Sequence, residues 1–316
     1  MEVIRVMKRQ MGTMTFVMNP APPFRLDYTV WAIRRRSINV IDRWDGTTWR
    51  RVHPLAEGVL EVQVTQAGAP EKPMLRVRVL GKRLPADSKK RVKVLLTRML
   101  GVETELSAFY RLARGRKSIG ALVERFRGVR LPRFPSVFEA LVNGIACQQL
   151  SLTVGITLLN RLARFCGDRF VAPEGVSFGF PRPQRLARVD AADLRKLGFS
   201  RQKAEALLKL SRGVSLKEID LEKLEASGDE EARGKLLQLK GVGPWTADYA
   251  LLRGLGRLTV FPSGDVGARN RLQSLLRVRE PLDDIEIRKR LRAWEPFAGL
   301  IYIHLLLSGL ADEGCL

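Results

Sequence analysis

The change in hydrophobic periodicity near Pro85 constrains the fold of this chain more than any other feature. Between residues 14 and 81 apolar side chains alternate with polar ones, so that in VLEVQVTQ the residues Leu60, Val62 and Val64 share one face. The segment MLRVRVLG repeats this alternation. A period of two is typical of half-buried antiparallel strands, and the dipeptide DG in DGTTWRRV indicates a turn before a further strand. A small antiparallel sheet is therefore predicted for this part of the chain.

The rest of the chain has apolar residues at helical spacing. Asp87 or Ser88 can cap the segment KKRVKVLLTRML, which is expected to end at Gly101. The long segment PSVFEALVNGIACQQLSLTVGITLLNRLARFCG opens with a capping box that begins at Ser136, and a break or a new cap is expected at Ser151. These signals predict a succession of helices.

Three stretches are interpreted by composition. DYTVWAIRRR fits either a short helix capped by Asp27 or a strand. Residues 171–184 are rich in proline and glycine and are expected to form a surface loop, and the run RRRS at 34–37 is interpreted as solvated charge. The fold class is predicted as α+β, with a small N-terminal antiparallel β-sheet domain followed by a larger all-helical domain. The expected bounds are a tail at 1–13, the sheet domain at 14–86 and the helical domain at 87–316.

The charge balance points to a partner class. The 316 residues include 55 Lys and Arg against 33 Asp and Glu, which gives a net charge of +22 and a pI near 10.7. Such an excess favours a polyanion such as nucleic acid, although a basic surface that binds nothing remains an alternative. A membrane surface fits less well, because the basic residues are spread along the whole chain rather than gathered on one amphipathic helix.

Cysteine and histidine are sparse and widely separated. The three cysteines, Cys147, Cys166 and Cys315, and the two histidines, His53 and His304, form no CxxC pair and no cluster. Neither a zinc site nor an iron–sulfur cluster is predicted, and no disulfide framework is expected, which suits a reducing cytoplasm. No apolar span of 18 residues and no signal-peptide pattern is present, so we expect a cytoplasmic protein without a membrane partner.

The segment LKGVGPW is the strongest candidate for a binding element. Gly241 and Gly243 permit positive φ at two nearby positions, so the backbone can reverse tightly around Val242. Pro244 suits the first turn of a helix that follows. A helix–hairpin–helix with outward-facing N–H groups would bind an anion such as a DNA phosphate, whereas a plain glycine turn between two helices is the alternative.

A family resemblance rests on five motifs in the same order. The pattern L-x-G-V-G-x-W-T-A, followed by Asp265 in VFPSGD, resembles the helix–hairpin–helix (HhH-GPD) base-excision DNA glycosylases, and most closely the branch of 3-methyladenine DNA glycosylase II. PRFPSVFEALVNGIACQQLS, LGFSRQKAEAL and RAWEPFAGLIYIHLL are similar to further stretches of that family. The resemblance covers roughly residues 14–312. It implies an enzyme that flips a damaged base out of duplex DNA and removes it.

The resemblance assigns the chemistry to Asp265. A carboxylate beside C1′ of the sugar stabilises the positive charge that builds up as the base departs, and it orients or deprotonates the attacking water. From its position alone, Asp265 is interpreted as the N-cap of the next helix, a role compatible with catalysis. Trp245 stands where family members that also cleave the backbone carry a lysine. The resemblance therefore implies a monofunctional hydrolase without lyase activity. No cofactor and no metal site formed by side chains are expected, whereas a cation held by the hairpin carbonyls stays open.

Aromatic side chains are implied to line the base pocket. The resemblance points to Trp245, Tyr249 and Phe297, with Trp31 as a weaker candidate, stacking on an electron-poor or cationic alkylated base. For each of them ordinary core packing is the alternative. Some relatives carry a large aromatic directly after the aspartate, where this chain has Val266, so the range of lesions stays open. We expect His304 to be a core histidine.

DNA contacts are implied at the break in the long helical segment and at the hairpin. Two adjacent glutamines in an apolar stretch are poor core residues, so among Gln148, Gln149 and Leu150 we predict Gln149 as the wedge in the minor groove and Leu150 as the alternate. Phosphate contacts are expected from the hairpin at 241–243, with the basic residues Arg201 and Lys203 at a helix end.

The expected function is removal of alkylated purines, chiefly 3-methyladenine, from duplex DNA, which leaves an abasic site. Two alternatives remain: a related glycosylase for deaminated or oxidised bases, or a non-catalytic DNA-binding module that uses only the hairpin. The expected partner is double-stranded DNA that contains damaged bases, and we expect a monomer associated with the nucleoid.

Overall fold

The N-terminal part forms a five-stranded antiparallel sheet. The computed structural model describes residues 11–55, 58–172 and 175–316. The strands are β1 Gly12–Met18, β2 Asp42–Trp44, β3 Thr48–Leu55, β4 Gly58–Ala67 and β5 Met74–Gly81, in the spatial order β1-β5-β4-β3-β2. The sheet predicted from the alternation is confirmed. Strand β1 begins at Gly12 rather than at residue 14, and residues 1–10 of the expected tail lie outside the described residues.

The register of the central strands follows from the alternation. Val62 of β4 pairs with Val79 of β5, and Val64 pairs with Val77. These side chains all lie on one face of the sheet and are almost completely buried. Because successive side chains of a strand point to opposite faces, this register buries every second residue of both strands at once.

Two helices cover the apolar face of the sheet. Helix α1 spans Leu26–Arg34 and helix α2 spans Ser88–Leu100, and both contribute side chains to the core beneath the sheet. DYTVWAIRRR is thus a helix. Its N-cap is Arg25 rather than Asp27, whose carboxylate accepts a hydrogen bond from Arg25 Nε at 2.9 Å. The apolar face of α1, which packs on the sheet, decides between helix and strand here.

The remaining helices build the larger, helical part of the chain. They are α3 Ser107–Ala113, α4 Ile119–Arg125, α5 Val137–Cys147, α6 Leu152–Cys166, α7 Pro183–Leu186, α8 Ala191–Lys196, α9 Arg201–Ser215, α10 Asp229–Leu237, α11 Pro244–Ala250, α12 Val266–Leu276, α13 Asp284–Leu291 and α14 Ala298–Asp312. A π-helical turn, Leu251–Leu255, directly follows α11. The predicted fold class, a small antiparallel sheet followed by a larger helical region, is confirmed.

Most of the predicted helix ends are confirmed. Ser136 Oγ accepts a hydrogen bond from Glu139 N–H at 3.2 Å, and Ser151 Oγ caps α6 at 3.4 Å. Gly101 ends α2 in the left-handed conformation. Asp87 occupies the N-cap of α2, but its carboxylate pairs with Arg91 at 2.6 Å instead of capping the helix. The long arginine side chain competes successfully for the carboxylate.

The surface loop predicted for residues 171–184 is wrong in its first half. Strands β6 Arg169–Ala172 and β7 Gly175–Phe178 form an antiparallel hairpin, and α7 begins at Pro183. Phe170 is buried against Val52 and Leu80 of the large sheet. This apolar contact stabilises a hairpin whose composition alone is typical of a loop.

No helix among the described residues is both long and apolar enough to span a membrane by itself. The consecutive helical segments 284–294 and 298–312 would together be long and apolar enough, but the chain bends by 105° between them.

A buried ion network joins the sheet to the helical part. Arg51 Nη1 on β3 contacts both carboxylate oxygens of Asp42 at 2.8 Å, and Arg51 Nη2 donates to Glu139 on α5. Trp49 Nε1 also donates to Asp42 at 3.2 Å. All four side chains are buried. A buried charge is tolerated only with such partners, so this network fixes how α5 sits against the sheet.

Replacing Glu139 with alanine is expected to lower the free energy of unfolding by about 3 kcal/mol, because it removes one partner of a buried arginine. Urea denaturation followed by circular dichroism measures this. Glu124→Ala is the matched control, since Glu124 pairs with Arg127 on the surface at 3.1 Å, and its loss is expected to cost at most about 1 kcal/mol. Equal effects of the two substitutions would contradict the structural role of the network.

His304 lies in the helical core, as expected. Its ring is fully buried on α14 and packs on Phe109, with 5.4 Å between the ring centroids. Nδ1 lies 2.7 Å from the carbonyl oxygen of Leu300, so it carries the proton of the neutral ring and donates it. Burial lowers the pKa of His304 to about 4. The folded protein therefore holds this ring neutral at a pH where the unfolded chain protonates it.

His304 is expected to make the protein less stable as the pH falls from about 6.5 to about 4. In this window the unfolded state binds a proton that the folded state does not, so the free energy of unfolding decreases by up to about 1.4 kcal/mol per pH unit. Urea denaturation at several pH values across this range should show that the free energy of unfolding of His304→Gln changes less steeply with pH than that of the native chain. The same pH dependence of the free energy of unfolding in both proteins would mean that His304 accepts a proton in the folded state.

Candidate active site

Asp265 lies at the start of α12, after a short loop that follows the π-helical turn. Its backbone N–H donates to the Pro262 carbonyl at 2.9 Å, which closes a tight turn. Its Oδ1 accepts a hydrogen bond from Ala268 N–H at 2.9 Å. The predicted N-cap role of Asp265 is therefore confirmed, and this cap fixes the orientation of the carboxylate.

The second oxygen of Asp265 is held by a tyrosine. Tyr302 on α14 donates its hydroxyl to Asp265 Oδ2 at 2.8 Å. Burial and the charge of Asp265 hold the pKa of Tyr302 well above its usual value, so the hydroxyl keeps its proton and remains a donor. Each carboxylate oxygen retains an unused lone pair, and the group is fixed without being blocked.

A cavity of about 390 Å³ opens beside this carboxylate. Its walls come from the end of α1, the junction of α5 and α6, helix α11, the start of α12 and helix α14. Asp265 and Tyr302 lie on one wall, and Leu150 lies at the junction of α5 and α6. Segments from both ends of the chain therefore meet at this one site.

Two of the four predicted pocket aromatics line the cavity. Trp245 and Tyr249 lie one helical turn apart on α11, and their rings are stacked with centroids 5.4 Å apart and an angle of 29° between the planes. Tyr249 is buried, whereas Trp245 is partly exposed. An aromatic surface of this kind is suited to stacking against a planar ligand.

The structure does not bring Phe297 and Trp31 to this cavity. Phe297 is buried beside α14 and packs on Phe109 with 5.4 Å between the ring centroids. Trp31 is partly buried against the same core, and the guanidinium of Arg34 covers its ring at 4.9 Å. Both rings therefore follow the alternative of core packing, since apolar neighbours remove more of their surface from water than an open pocket would.

The segment between α10 and α11 forms the predicted hairpin, with one difference. Gly241 has φ +80°, and a Cβ there would lie 2.5 Å from the Cβ of Ala206, so glycine is required on both grounds. Gly243 has φ −93° and ψ 179°, so its predicted positive φ is wrong. It serves as the extended N-cap before Pro244, which occupies the first turn as expected, while Val242 is buried in the core.

The hairpin backbone faces outward. Val242 N–H donates to the Leu239 carbonyl at 3.1 Å within the turn. The N–H groups of Gly241 and Gly243 donate to no other group in the described ranges of the chain. Amides without a protein partner at an exposed turn are available to an anion.

Gln148 contacts the hairpin directly, and Lys203 holds the backbone on either side of Cys147 at the end of α5. Gln148 Nε2 donates to the Gly241 carbonyl at 2.9 Å and to Thr246 Oγ1 at 2.6 Å. Lys203 Nζ donates to the carbonyls of Ala146 at 3.0 Å and Gln148 at 2.7 Å, and burial lowers the pKa of its amine. These contacts fix the end of α5 and the hairpin relative to each other.

The remaining side chains that were predicted to contact DNA, Gln149, Leu150 and Arg201, are exposed. Gln149 adopts φ +55° at the turn between α5 and α6, and the adjacent Leu150 is 42% exposed. Both line a shallow depression that also reaches Gly243 and Asp265. Arg201 at the start of α9 is largely exposed and pairs with Glu205 at 2.9 Å. Gln149 and Leu150 therefore lie beside the opening of the cavity, because this depression shares Leu150, Trp245 and Asp265 with the cavity lining.

Two arginines in the cavity wall were not anticipated. Arg35, at the left-handed end of α1, is 4% exposed, and its guanidinium donates to Tyr249 OH at 3.0 Å and to Asn143 Oδ1 at 2.6 Å. Arg253, in the π-helical turn, is fully buried. The interpretation of RRRS as solvated charge is wrong for Arg34 and Arg35, which are both buried. Backbone carbonyls accept from the guanidinium of Arg34, and side-chain oxygens accept from the two terminal nitrogens of Arg35. The π-helical turn that contains Arg253 lies next to the cavity, and such turns are frequent at functional sites. This turn is visible only in the structure, so the sequence did not point to Arg253.

The described ranges contain no group of three or more histidine, cysteine, aspartate or glutamate side chains that could hold a metal ion. The charged and hydroxyl groups of the cavity wall include the carboxylates of Asp265 and Glu313, the hydroxyls of Tyr249 and Tyr302, and four guanidinium groups.

Comparison with protein families and curated proteins gives a consistent result. A family described as "HhH-GPD superfamily base excision DNA repair protein" matches residues 142–296, which include the hairpin and Asp265. The chain is similar to a DNA-3-methyladenine glycosylase of Bacillus subtilis (strain 168), with 28% identity over 227 residues, 70% of this chain and 75% of the relative.

Solved structures share the architecture over nearly the whole chain. The 3-methyladenine DNA-glycosylase from Archaeoglobus fulgidus superposes with a TM-score of 0.82 and 26% identity, and the match covers 92% of this chain and 97% of that one. An 8-oxoguanine glycosylase/lyase from Clostridium acetobutylicum, solved with double-stranded DNA, superposes with a TM-score of 0.74 and 18% identity over 95% of this chain and 98% of that one. At that identity the second comparison concerns the fold alone.

Proposed function

Because the chain belongs to the HhH-GPD superfamily of base excision DNA repair proteins, we propose that it is a monofunctional DNA glycosylase for alkylated bases. It would flip an alkylated purine out of duplex DNA and hydrolyse the bond between base and sugar, leaving an abasic site. The names of the relatives support a DNA glycosylase for alkylated bases. Base flipping and hydrolysis are proposed on one observation, namely that the fixed carboxylate of Asp265 and a stacked aromatic pair line the same cavity.

The cavity is suited to a base that has left the stack. Pockets for small ligands enclose roughly 300 Å³ or more, and this one, at about 390 Å³, has an aromatic wall formed by Trp245 and Tyr249. Gln149 and Leu150 project at its mouth, where a side chain could fill the gap that a flipped base leaves in the duplex. These features support base flipping as the route to the reacting bond.

Asp265 would act on the sugar. As the bond between C1′ and the base nitrogen breaks, its electron pair goes to the base and positive charge builds up on the sugar ring. A carboxylate held in place by Ala268 N–H and Tyr302 OH stabilises that charge without having to reorganise, and its free lone pairs can orient the attacking water. The water oxygen then bonds to C1′ and releases a proton. This proton passes to the solvent when a cationic base such as 3-methyladenine departs as a neutral molecule, and it ends on the base nitrogen when the base is neutral in DNA.

The lining of the cavity supports hydrolysis rather than lyase chemistry. A Schiff base with C1′ needs a free primary amine. Within the part of the chain that the structure describes, no lysine lines the cavity. The family resemblance places Trp245 at the position where lyase members carry that lysine. Lys240 on the hairpin pairs with Glu205 at 2.7 Å, and the amine of Lys203 is held by backbone carbonyls.

Duplex binding would combine the hairpin with the basic surface. The unpartnered N–H groups of Gly241 and Gly243 suit one phosphate, and Arg201 is the most exposed basic residue among the predicted contacts. The net charge of +22 adds an attraction that does not depend on sequence. These contacts would position the DNA, whereas the cavity would select the base.

Asp265→Asn is expected to retain duplex binding but to lose base release by at least about a hundredfold, because the amide keeps the shape and the capping oxygen but not the charge. Release is measured in single-turnover reactions on duplexes that carry 7-methylguanine, 3-methyladenine or 1,N6-ethenoadenine, followed by cleavage at abasic sites. Asp283→Asn is the matched control, since Asp283 also caps a helix, accepting from Glu286 N–H at 2.7 Å, but lies outside the cavity. Undiminished release by Asp265→Asn would refute the assignment, and binding without release by the native protein would favour a non-catalytic module.

Sodium borohydride is expected to trap no covalent complex between the protein and duplexes that carry a releasable alkylated base. Without an amine at C1′ no imine forms that borohydride could reduce. Denaturing electrophoresis of the labelled DNA detects such a complex, and abasic-site formation in the same samples shows that the enzyme was active. A trapped band that disappears in Lys240→Gln or Lys203→Gln would replace the hydrolase proposal with a lyase.

A further inference from the structure

We propose that the cavity selects lesions that carry no charge, and that the buried guanidinium of Arg35 is the group that discriminates against cationic bases. This inference rests on the proposed glycosylase function and concerns the same cavity. Many alkylated purines, including 3-methyladenine and 7-methylguanine, are cations while attached to DNA. Others, such as 1,N6-ethenoadenine, are neutral. The charge of the cavity wall therefore bears directly on which of them are accepted.

Arg35 is buried without an anionic partner. Its two terminal nitrogens donate to Tyr249 OH at 3.0 Å and to Asn143 Oδ1 at 2.6 Å, which are both neutral acceptors. Asn143 is itself oriented, because its Nδ2 donates to the Glu139 carbonyl at 3.0 Å. Arg35 Nε has no hydrogen-bond partner among the described residues. Arg51 provides the contrast, since two buried carboxylates neutralise it.

Arg253 adds a second uncompensated charge to the wall. Its Nε donates to the Pro132 carbonyl and its Nη2 to the Ala32 carbonyl, both at 2.8 Å. Its Nη1 is buried and has no partner within the described ranges. The guanidinium also lies 5.9 Å from the ring centroid of Tyr249. The electron-rich face of this aromatic therefore already interacts with a resident cation.

The charges that line the cavity sum to a positive excess. Four arginines contribute to the lining against two carboxylates, and the six residues are Arg35, Arg36, Arg253, Arg271, Asp265 and Glu313. Glu313 pairs with Arg36 at 2.7 Å and lies 4.0 Å from Arg271, so it is neutralised at the rim. The remaining charged groups of the lining are Asp265 and the buried guanidinium groups of Arg35 and Arg253.

A cationic base and a neutral base meet this wall differently. A cation stacked on Trp245 and Tyr249 is repelled by Arg35 and Arg253, and burial leaves this repulsion weakly screened. A neutral base carries no net charge for these guanidinium groups to repel, and the negative ends of its carbonyl or ring-nitrogen dipoles can face them.

The same arginines favour the departure of a neutral base. When the C1′–N bond of a neutral nucleotide breaks, the electron pair leaves negative charge on the base until its nitrogen is protonated by the proton released from the attacking water. Guanidinium groups beside the base stabilise this charge as it develops. A cationic base departs as a neutral molecule and gains nothing from them. Both binding and bond breaking therefore shift selectivity toward uncharged lesions.

The first test uses the native protein. Single-turnover rates are measured on one duplex sequence that carries hypoxanthine, 1,N6-ethenoadenine, 7-methylguanine or 3-methyladenine, and each rate is divided by the spontaneous rate of base loss from the same duplex. We expect the enhancement for the two neutral bases to exceed that for the two cationic bases by at least about tenfold. An enhancement that is equal, or larger for the cationic bases, would overturn the proposal.

The second test isolates Arg35. Arg35→Met removes the charge and retains much of the side-chain length, whereas Arg35→Lys retains the charge and removes the fork. We expect Arg35→Met to narrow the ratio of neutral to cationic enhancement by about tenfold, and Arg35→Lys to preserve most of that ratio. A uniform loss for all four lesions in both variants would make Arg35 a structural residue and would overturn its role in selectivity.

Circular dichroism and urea denaturation establish that each variant is folded. If Arg35→Met does not fold, Arg35→Lys and the native protein still test the proposal. Because Arg35→Lys keeps the charge, its ratio of neutral to cationic rate enhancement should match that of the native protein, and a lost ratio would contradict the role of the charge. Release of cationic bases only would refute this inference and leave the glycosylase proposal standing. Release of no base from any of the four duplexes would instead refute the glycosylase proposal, and this inference with it.

Discussion

The guanidinium of Arg35 is the contact on which the geometry of the site depends. It joins the end of α1 to Asn143 on α5 and to Tyr249 on α11, which are 108 and 214 positions away along the chain. Burying this cation without a carboxylate costs free energy, and its hydrogen bonds offset that cost only in one arrangement. Because Tyr249 stacks on Trp245, the position of Arg35 also determines where the aromatic wall of the cavity lies.

The cavity and the hairpin are held together by close packing of α5 against α11. A Cβ on Gly144 would lie 2.8 Å from Thr246 Cγ2, so the two helices approach as closely as glycine permits. Thr246 accepts from Gln148, which also binds the hairpin carbonyl of Gly241. A small displacement of α5 would therefore move the hairpin and the cavity wall together. Under the proposed function, this coupling keeps a phosphate at the hairpin and a base in the cavity at a fixed separation.

Local signals in the sequence predicted the framework well. Alternation gave the sheet, and side-chain oxygens at Ser136, Ser151 and Asp265 marked helix starts, because each of these effects acts within a few residues. Two of the predictions that failed, the loop at 171–184 and the pocket position of Phe297, depend on contacts between distant segments. The hairpin around Phe170 is stabilised by the large sheet, and Phe297 is drawn into a core with Phe109. No pattern within a short window reports such partners.

The arginines show why charge is the hardest feature to interpret from a sequence. In the composition, Arg35 and Arg201 count equally toward the net charge of +22, yet one is buried in the cavity wall and the other is largely exposed. Exposed charges attract any duplex, and salt screens them over about 8–10 Å. Buried charges are screened far less, so under the proposed selectivity they act on the one base that enters the cavity. Salt is then expected to weaken binding to DNA as a whole but to leave the preference among lesions nearly unchanged. The response to salt therefore distinguishes the exposed arginines from the buried ones.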